Sequence, residues 1–208
     1  MSRRSKSSDR WLKEHFADPF VQKAQAAGWR SRAVFKLEEI DRRERLLKAG
    51  HVVLDLGAAP GAWSQYARQR VGRGGRVVAS DILPMPELPG VQFLQGDFRE
   101  AQVLQALGAL LPPRGVDVVL SDMAPNLSGV DAIDQPRAAY LAELALSLAG
   151  DVLKGGGAAL IKVFQGAGFE ELLRTARGQF GRVKLLKPQA SRSRSPEIYL
   201  LAMQYRLV

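Results

Sequence analysis

The sequence predicts a single α/β domain: a mostly parallel seven-stranded sheet, helices on both of its faces, and an antiparallel strand pair at the C-terminal end. Three observations predict it. Short apolar runs alternate with helical patterns from residue 51 to residue 179, which implies repeated βα units. A Gly-rich turn, Gly57 to Gly61, joins the first strand to the helix after it. The last two apolar runs, 183–186 and 198–204, are linked by a loop with no helix, as antiparallel neighbours permit.

The elements follow in order. Residues 31–47 read as a helix, with Ser31 able to cap it and Val34, Leu37, Ile40 and Leu47 near one face. Residues 51–56 are the first strand and 61–71 the helix behind the glycine turn. Strands over 76–80 and 91–94 come next, the second followed by a helix near 99–111. A fourth strand, 116–120, leads into a long helix near 135–153. A fifth, 158–163, leads into a helix near 168–179.

The 208 residues suit one medium domain, and 46 % hydrophobic content supplies a sizeable core. No apolar run approaches the roughly 20 residues of a membrane helix. The segment MSRRSKSSDRW lacks the apolar stretch of a secretory signal, so a cytoplasmic protein is expected. There is no cysteine, which excludes disulfides, thiolate metal sites and cysteine nucleophiles. His15 and His51 are the only histidines, and no metal site is expected.

The formal net charge is +9 and the pI about 10.2, which suggests a polyanionic partner. Residues 1–36 carry nine bases and three acids; residues 174–197 carry seven bases and one acid. The excess therefore sits in two arms around a body of slightly negative charge, as in a phosphate-backbone clamp. Residues 1–30 read as a basic extension, partly mobile, and 31–208 as the folded domain.

The turn Asp55-Leu56-Gly57-Ala58-Ala59-Pro60-Gly61-Ala62-Trp63-Ser64 places a ligand at the C-terminal edge of the sheet. A dinucleotide loop would read G-x-G-x-x-G; here Ala58-Ala59-Pro60 stands between the glycines. D-x-G-x-x-x-G resembles motif I of S-adenosylmethionine-dependent methyltransferases. Gly57, Pro60, Gly61 and Trp63 are candidate cofactor positions in it. Asp81 ends the second strand, where a carboxylate can accept both ribose hydroxyls. Asp97 follows the third, where it can take an adenine amino group. Three acids after three successive strands beside one glycine turn point to a bound nucleoside. Asp122 ends the fourth strand and could border the methionine part as well.

Lys162 interrupts the apolar run of the fifth strand, and a buried lysine is costly unless paired. Adjacent strand ends can bring Asp122 and Lys162 together over the cofactor. These segments resemble the FtsJ/RrmJ family of RNA ribose 2′-O-methyltransferases over nearly the whole chain. The match runs through Arg30-Ser31-Arg32-Ala33, Phe35-Lys36-Leu37, Gly57 to Gly61, Gln95 to Phe98, Ser121 to Asn126, Lys162 to Gly166, and Ser191-Arg192 to Glu197. Ala62 departs from it, since relatives often carry a second glycine there.

The resemblance implies a Rossmann-like S-adenosylmethionine-dependent methyltransferase domain with a catalytic tetrad on Lys36, Asp122, Lys162 and Glu197. It implies methyl transfer to a ribose 2′-hydroxyl, with S-adenosylhomocysteine as product. The implied substrate is a uridine of large-subunit ribosomal RNA in the ribosomal particle. Lys162 would serve as base or as an oriented cation, with Lys36 depressing its pKa and the two acids opposing that. Arg30 and Arg32 precede the first tetrad residue; Arg192 and Arg194 precede the last. All four are candidate RNA contacts, and a monomer is expected.

Two rivals are weaker. A base N-methyltransferase needs an aromatic to stack an extruded base, and Pro125 is followed by Asn126 and Leu127. A non-catalytic ribosome-assembly or RNA-binding factor of the same fold would not need four intact tetrad positions. A nicotinamide dehydrogenase is opposed by the glycine spacing.

Overall fold

The computed structural model describes residues 18–125, 131–166, 168–192 and 195–207, without the side chains of 131–133. The basic residues before Asp18, together with Asn126, Leu127 and Arg194, lie outside the described residues. Seven strands form one sheet: β1 (Val52–Leu56), β2 (Arg76–Asp81), β3 (Val91–Gln95), β4 (Val116–Ser121), β5 (Leu153–Phe164), β6 (Phe180–Leu186) and β7 (Glu197–Tyr205). Their order is β3-β2-β1-β4-β5-β7-β6. The first five are mutually parallel, and β7 runs antiparallel between β5 and β6.

Successive strand residues face opposite sides of a sheet. Val53, Val118, Leu120, Leu160, Tyr199 and Leu201 pack on one side with α2 (Val34–Glu44) and α3 (Ala62–Val71), which follow the short α1 (Pro19–Ala26). Leu54, Val119, Ile161 and Leu200, one residue out of phase, pack on the other side. There they meet residues of α4 (Ala101–Ala109), α5 (Asp131–Val152) and α6 (Phe169–Gln179). Both faces are covered, which is why the central strands read as continuous apolar runs. No described helix is long and apolar enough to cross a membrane.

The elements differ from the sequence expectation at their ends. Helix α2 starts at Val34, since the Ser31 hydroxyl accepts from Ala33 N at 3.3 Å and does not cap the helix. It stops at Glu44 because Arg45 adopts the left-handed conformation, φ 54. Strand β5 begins five residues early, in a glycine stretch whose register shifts against β4. Glycines have no side chain to register as apolar, so that part of the strand is silent in the sequence. Helix α1 falls in the expected basic extension. Asp18 caps it by accepting from Phe20 N at 2.9 Å, Val21 and Ala24 are buried, and Phe20 meets Phe35 at 5.6 Å between ring centroids.

Candidate active site

Parallel strands β1, β4 and β5 deliver their C-terminal ends to one edge of the sheet. Because β7 is antiparallel to β5, its first residues lie at that same edge: Glu197 pairs with Phe164 and Tyr199 with Lys162. Leu160 faces α2 and α3, so Lys162, two residues on, points to the same side. Helix α2 brings Lys36 there from its first turn.

All four tetrad candidates converge. Lys162 Nζ lies 2.9 Å from Asp122 Oδ1 and donates to the Asp122 backbone carbonyl at 2.7 Å. Lys36 Nζ lies 2.6 Å from Glu197 Oε1. The two pairs are joined by a residue that the sequence reading passed over, Tyr199. Its hydroxyl donates to Asp122 Oδ1 at 2.7 Å and accepts from Lys36 Nζ at 3.1 Å. A buried tyrosine needs a partner for its hydroxyl, and its place opposite Lys162 on β7 was the signal that could have found it.

The charges explain the proton positions. Burial pushes the Asp122 carboxyl up, but Lys162, Lys36 and the donated hydrogen bonds outweigh it and hold the group below the usual carboxylate range. Burial and the negative charges of Asp122 and Glu197 push the Tyr199 phenol well above its ordinary value. Tyr199 is thus a neutral donor between two ion pairs.

Beside this network lies a cleft of about 300 Å³ lined by Gly57, Asp81, Asp97, Asp122, Met123 and others. Gly57 sits at φ 72, and a Cβ there would come 2.6 Å from the Met123 side chain, so only glycine lets the β1 and β4 loops approach. Asp81 accepts from Ala59 N and Leu83 N, each at 2.8 Å, which fixes its carboxylate at the end of β2. The Arg99 guanidinium grips Asp97, and it holds that carboxyl below the usual range. Pro60, Gly61 and Trp63 are not among the lining residues. The Trp63 indole donates to the Ala33 carbonyl at 2.8 Å and packs on Tyr199, so it braces α2 against the network. Gly61, at φ 104, opens α3.

Asp55 is fully buried behind the glycine turn. It accepts from the Ser64 hydroxyl at 2.6 Å, and its second oxygen has no partner among the described residues. Burial, opposed by the Ser64 bond and reinforced by the charges of Asp122 and Asp81, raises its pKa to about 7. A raised carboxyl contributes full stability below the unfolded value near 4, and this is lost as pH rises to the folded value. Wild-type stability is therefore expected to fall by about 4 kcal/mol between roughly pH 4 and pH 7 on account of this group. Asp55→Asn should remove that component. Denaturant unfolding at pH 5 and pH 8 measures it, and identical pH slopes for the two proteins would refute it.

The arginines flanking the tetrad are arranged otherwise than the sequence suggests. Arg30 donates to the carbonyls of Pro60, Pro86 and Glu87 at 3.1, 2.7 and 2.6 Å. Arg32 is engaged by the Asp18 carboxylate and the Ala190 carbonyl. A guanidinium carries five fixed donors, and loop carbonyls satisfy them as well as phosphates do. Arg192 lies 4.0 Å from Asp18 and remains partly exposed.

A model described as "FtsJ-like methyltransferase" matches residues 29–205. The chain is 61 % identical over 206 residues to a ribosomal RNA large subunit methyltransferase E of Stenotrophomonas maltophilia, covering 99 % of this chain and 98 % of that one. It is 59 % identical over 204 residues to the protein of that name in Legionella pneumophila, covering 98 % and 99 %. A crystal structure titled as a ribosomal RNA methyltransferase of Plasmodium falciparum superposes with a TM-score of 0.74 at 27 % identity, covering 85 % of this chain and 98 % of that one.

Proposed function

Because the chain belongs to the FtsJ-like methyltransferase family, we propose that it transfers a methyl group from S-adenosylmethionine to a ribose 2′-hydroxyl, that of a uridine in ribosomal RNA of the large subunit. The observation that carries this reading is the Lys36–Glu197 and Asp122–Lys162 network, joined by Tyr199 at the mouth of an acidic cleft. We place the reaction in the cytoplasm, on the ribosomal particle.

The donor set of the cleft fits this cofactor. Three carboxylates face it, and its one lining arginine is already bound to Asp97. Such a site suits hydroxyl and amino donors and a cationic sulfonium, and it repels a pyrophosphate. Asp81 would hold the ribose, Asp97 the adenine and Asp122 the methionine part. When bound, the cofactor supplies a methyl group already activated by the sulfonium.

The protein then has to position the hydroxyl and manage its proton. An ammonium has three donors; Lys162 directs two of them at Asp122. We infer that the third meets the ribose oxygen as its proton passes to solvent water and negative charge grows there, so that Lys162 acts as an oriented cation. Lys36 and Glu197 hold the substrate side of the network, and Tyr199 fixes the spacing between the pairs.

Transfer of tritiated methyl from S-adenosylmethionine to undermethylated large subunits, with mapping of the modified nucleotide, tests the assignment. A label on a base would overturn it. Asp81→Ala and Asp97→Ala should each weaken S-adenosylhomocysteine binding by about 1–3 kcal/mol in calorimetric titration. RNA affinity should be unchanged. Wild-type affinity in both variants would remove these strand ends from the cofactor site.

A further inference from the structure

Arg30 and Arg32 donate to partners within the protein, and cations without such partners stand elsewhere. Arg45, Lys48 and Arg182 have no ion pair and no side-chain hydrogen bond among the described residues. They gather at the far end of α2. A groove of about 600 Å³ runs there between α2 and the edge strand β6, walled by Arg43, Glu44, Arg45, Arg182 and Lys184. Lys48 lines an adjoining hollow that shares Arg45 and Arg182. The acid of the groove, Glu44, is held at 2.6 Å by Lys184 and 3.1 Å by Arg43, and its side chain is only 7 % exposed. The groove therefore presents cations.

Arg45 adds a second observation. It ends α2 in the left-handed conformation, φ 54, a position at which glycine is the least strained residue. The chain carries a long cationic side chain there instead, and that side chain lines both hollows.

We propose that this groove binds the sugar–phosphate backbone of RNA flanking the modified nucleotide, a proposal that rests on the RNA methyl-transfer reading. The groove extends towards the catalytic edge, since Leu186 in its lining pairs with Tyr199 on β7. Arg43 also lines a second hollow with Lys23, Arg42 and Ala190, and the chain after Ala190 leads to Glu197. The acids of that hollow are engaged, Glu38 by Arg42 at 2.8 Å and Glu39 by Gln189 N at 2.8 Å. From Lys36 to Arg45 the helix rises about 13 Å. That is roughly four steps of a duplex at about 3.4 Å each. The groove thus meets RNA several nucleotides from the site of methylation, and a short substrate does not reach it.

The double variant Arg45→Gly/Arg182→Gln tests this. Neither residue belongs to the catalytic network or the cofactor cleft. Glycine relieves the left-handed conformation, so the melting temperature should hold or rise with Arg45→Gly alone. For a protein-free ribosomal RNA fragment reaching well beyond the modified uridine, the dissociation constant should rise roughly tenfold. The log–log salt slope should fall by about 1.4–1.8, two phosphate contacts' worth. An oligonucleotide ending within about four nucleotides of the uridine should bind both proteins alike. S-adenosylhomocysteine affinity and the rate at saturating substrate should match wild type. An unchanged salt slope on the long fragment would overturn the proposal. So would a loss seen only with intact particles, which would assign the groove to an acidic protein. Normal groove-dependent RNA binding by a wild type that transfers no methyl group would support the groove and overturn the activity reading instead.

Discussion

Lys162→Ala is expected to lower the rate of methyl transfer by roughly 10²–10⁴-fold while leaving S-adenosylhomocysteine affinity near wild type. Lys162 is 9 % exposed, and its ammonium is held by two atoms of Asp122. It does not line the cleft that would hold the cofactor. Truncation therefore removes the group proposed to face the reacting oxygen while leaving the lining of the cleft intact. Single-turnover assay of a variant with wild-type circular dichroism measures the effect, and a rate close to wild type would remove Lys162 from the mechanism. Lys162→Arg separates its two possible roles. A guanidinium keeps the charge but does not release a proton near neutral pH. Residual activity above that of the alanine variant supports the oriented cation; none at all favours a base.

Asp122→Asn should lower the rate by about 10²–10³-fold, because one carboxylate serves three neighbours. It is the counter-ion of Lys162, the acceptor for the Tyr199 hydroxyl, and an anion close to Lys36. An amide oxygen in the place of Oδ1 still accepts from Lys162 and Tyr199, so the substitution removes the negative charge that faces the two lysines. The same substitution carries a pH signature. The Asp122 carboxyl is held below its ordinary range, so its ionised form stabilises the fold above about pH 4. That contribution is lost as pH falls through the lowered folded value. The stability gap between wild type and Asp122→Asn should therefore be open at pH 7 and close in acid. A gap independent of pH in denaturant unfolding would refute the role given to this carboxylate.

What was legible in the sequence followed from two regularities. Strands covered on both faces are apolar throughout, so polar residues at their ends stand out: Asp81, Asp122 and Lys162 were found that way. The turn after β1 announced itself by its glycines. Tyr199 was hidden because a buried aromatic on a strand looks like core, and only its hydroxyl contacts distinguish it. Trp63 shows the converse, since its place in the cofactor motif gave no sign that its indole also ties α3 to α2. The arginines show a further limit. Sequence gives their charge, but whether Arg30 faces phosphate or the carbonyls of Pro60, Pro86 and Glu87 depends on chain segments up to 57 residues away. The groove at Arg45 rests on a backbone conformation that no local pattern encodes.

The position of β7 has a consequence for the time at which this protein becomes competent. The last strand to be synthesised is inserted inside the sheet, between β5 and β6, and carries Glu197 and Tyr199. Before it emerges, β6 has no strand to pair with, and Asp122 lacks the Tyr199 hydroxyl. The five parallel strands, with the cleft carboxylates Asp81 and Asp97, can assemble on a growing chain. Their strand order is complete without β7, so the cleft precedes the catalytic network in birth order. A chain stalled short of Glu197 would present the acids proposed for the methyl donor with one of the two ion pairs, and without the tyrosine that joins them.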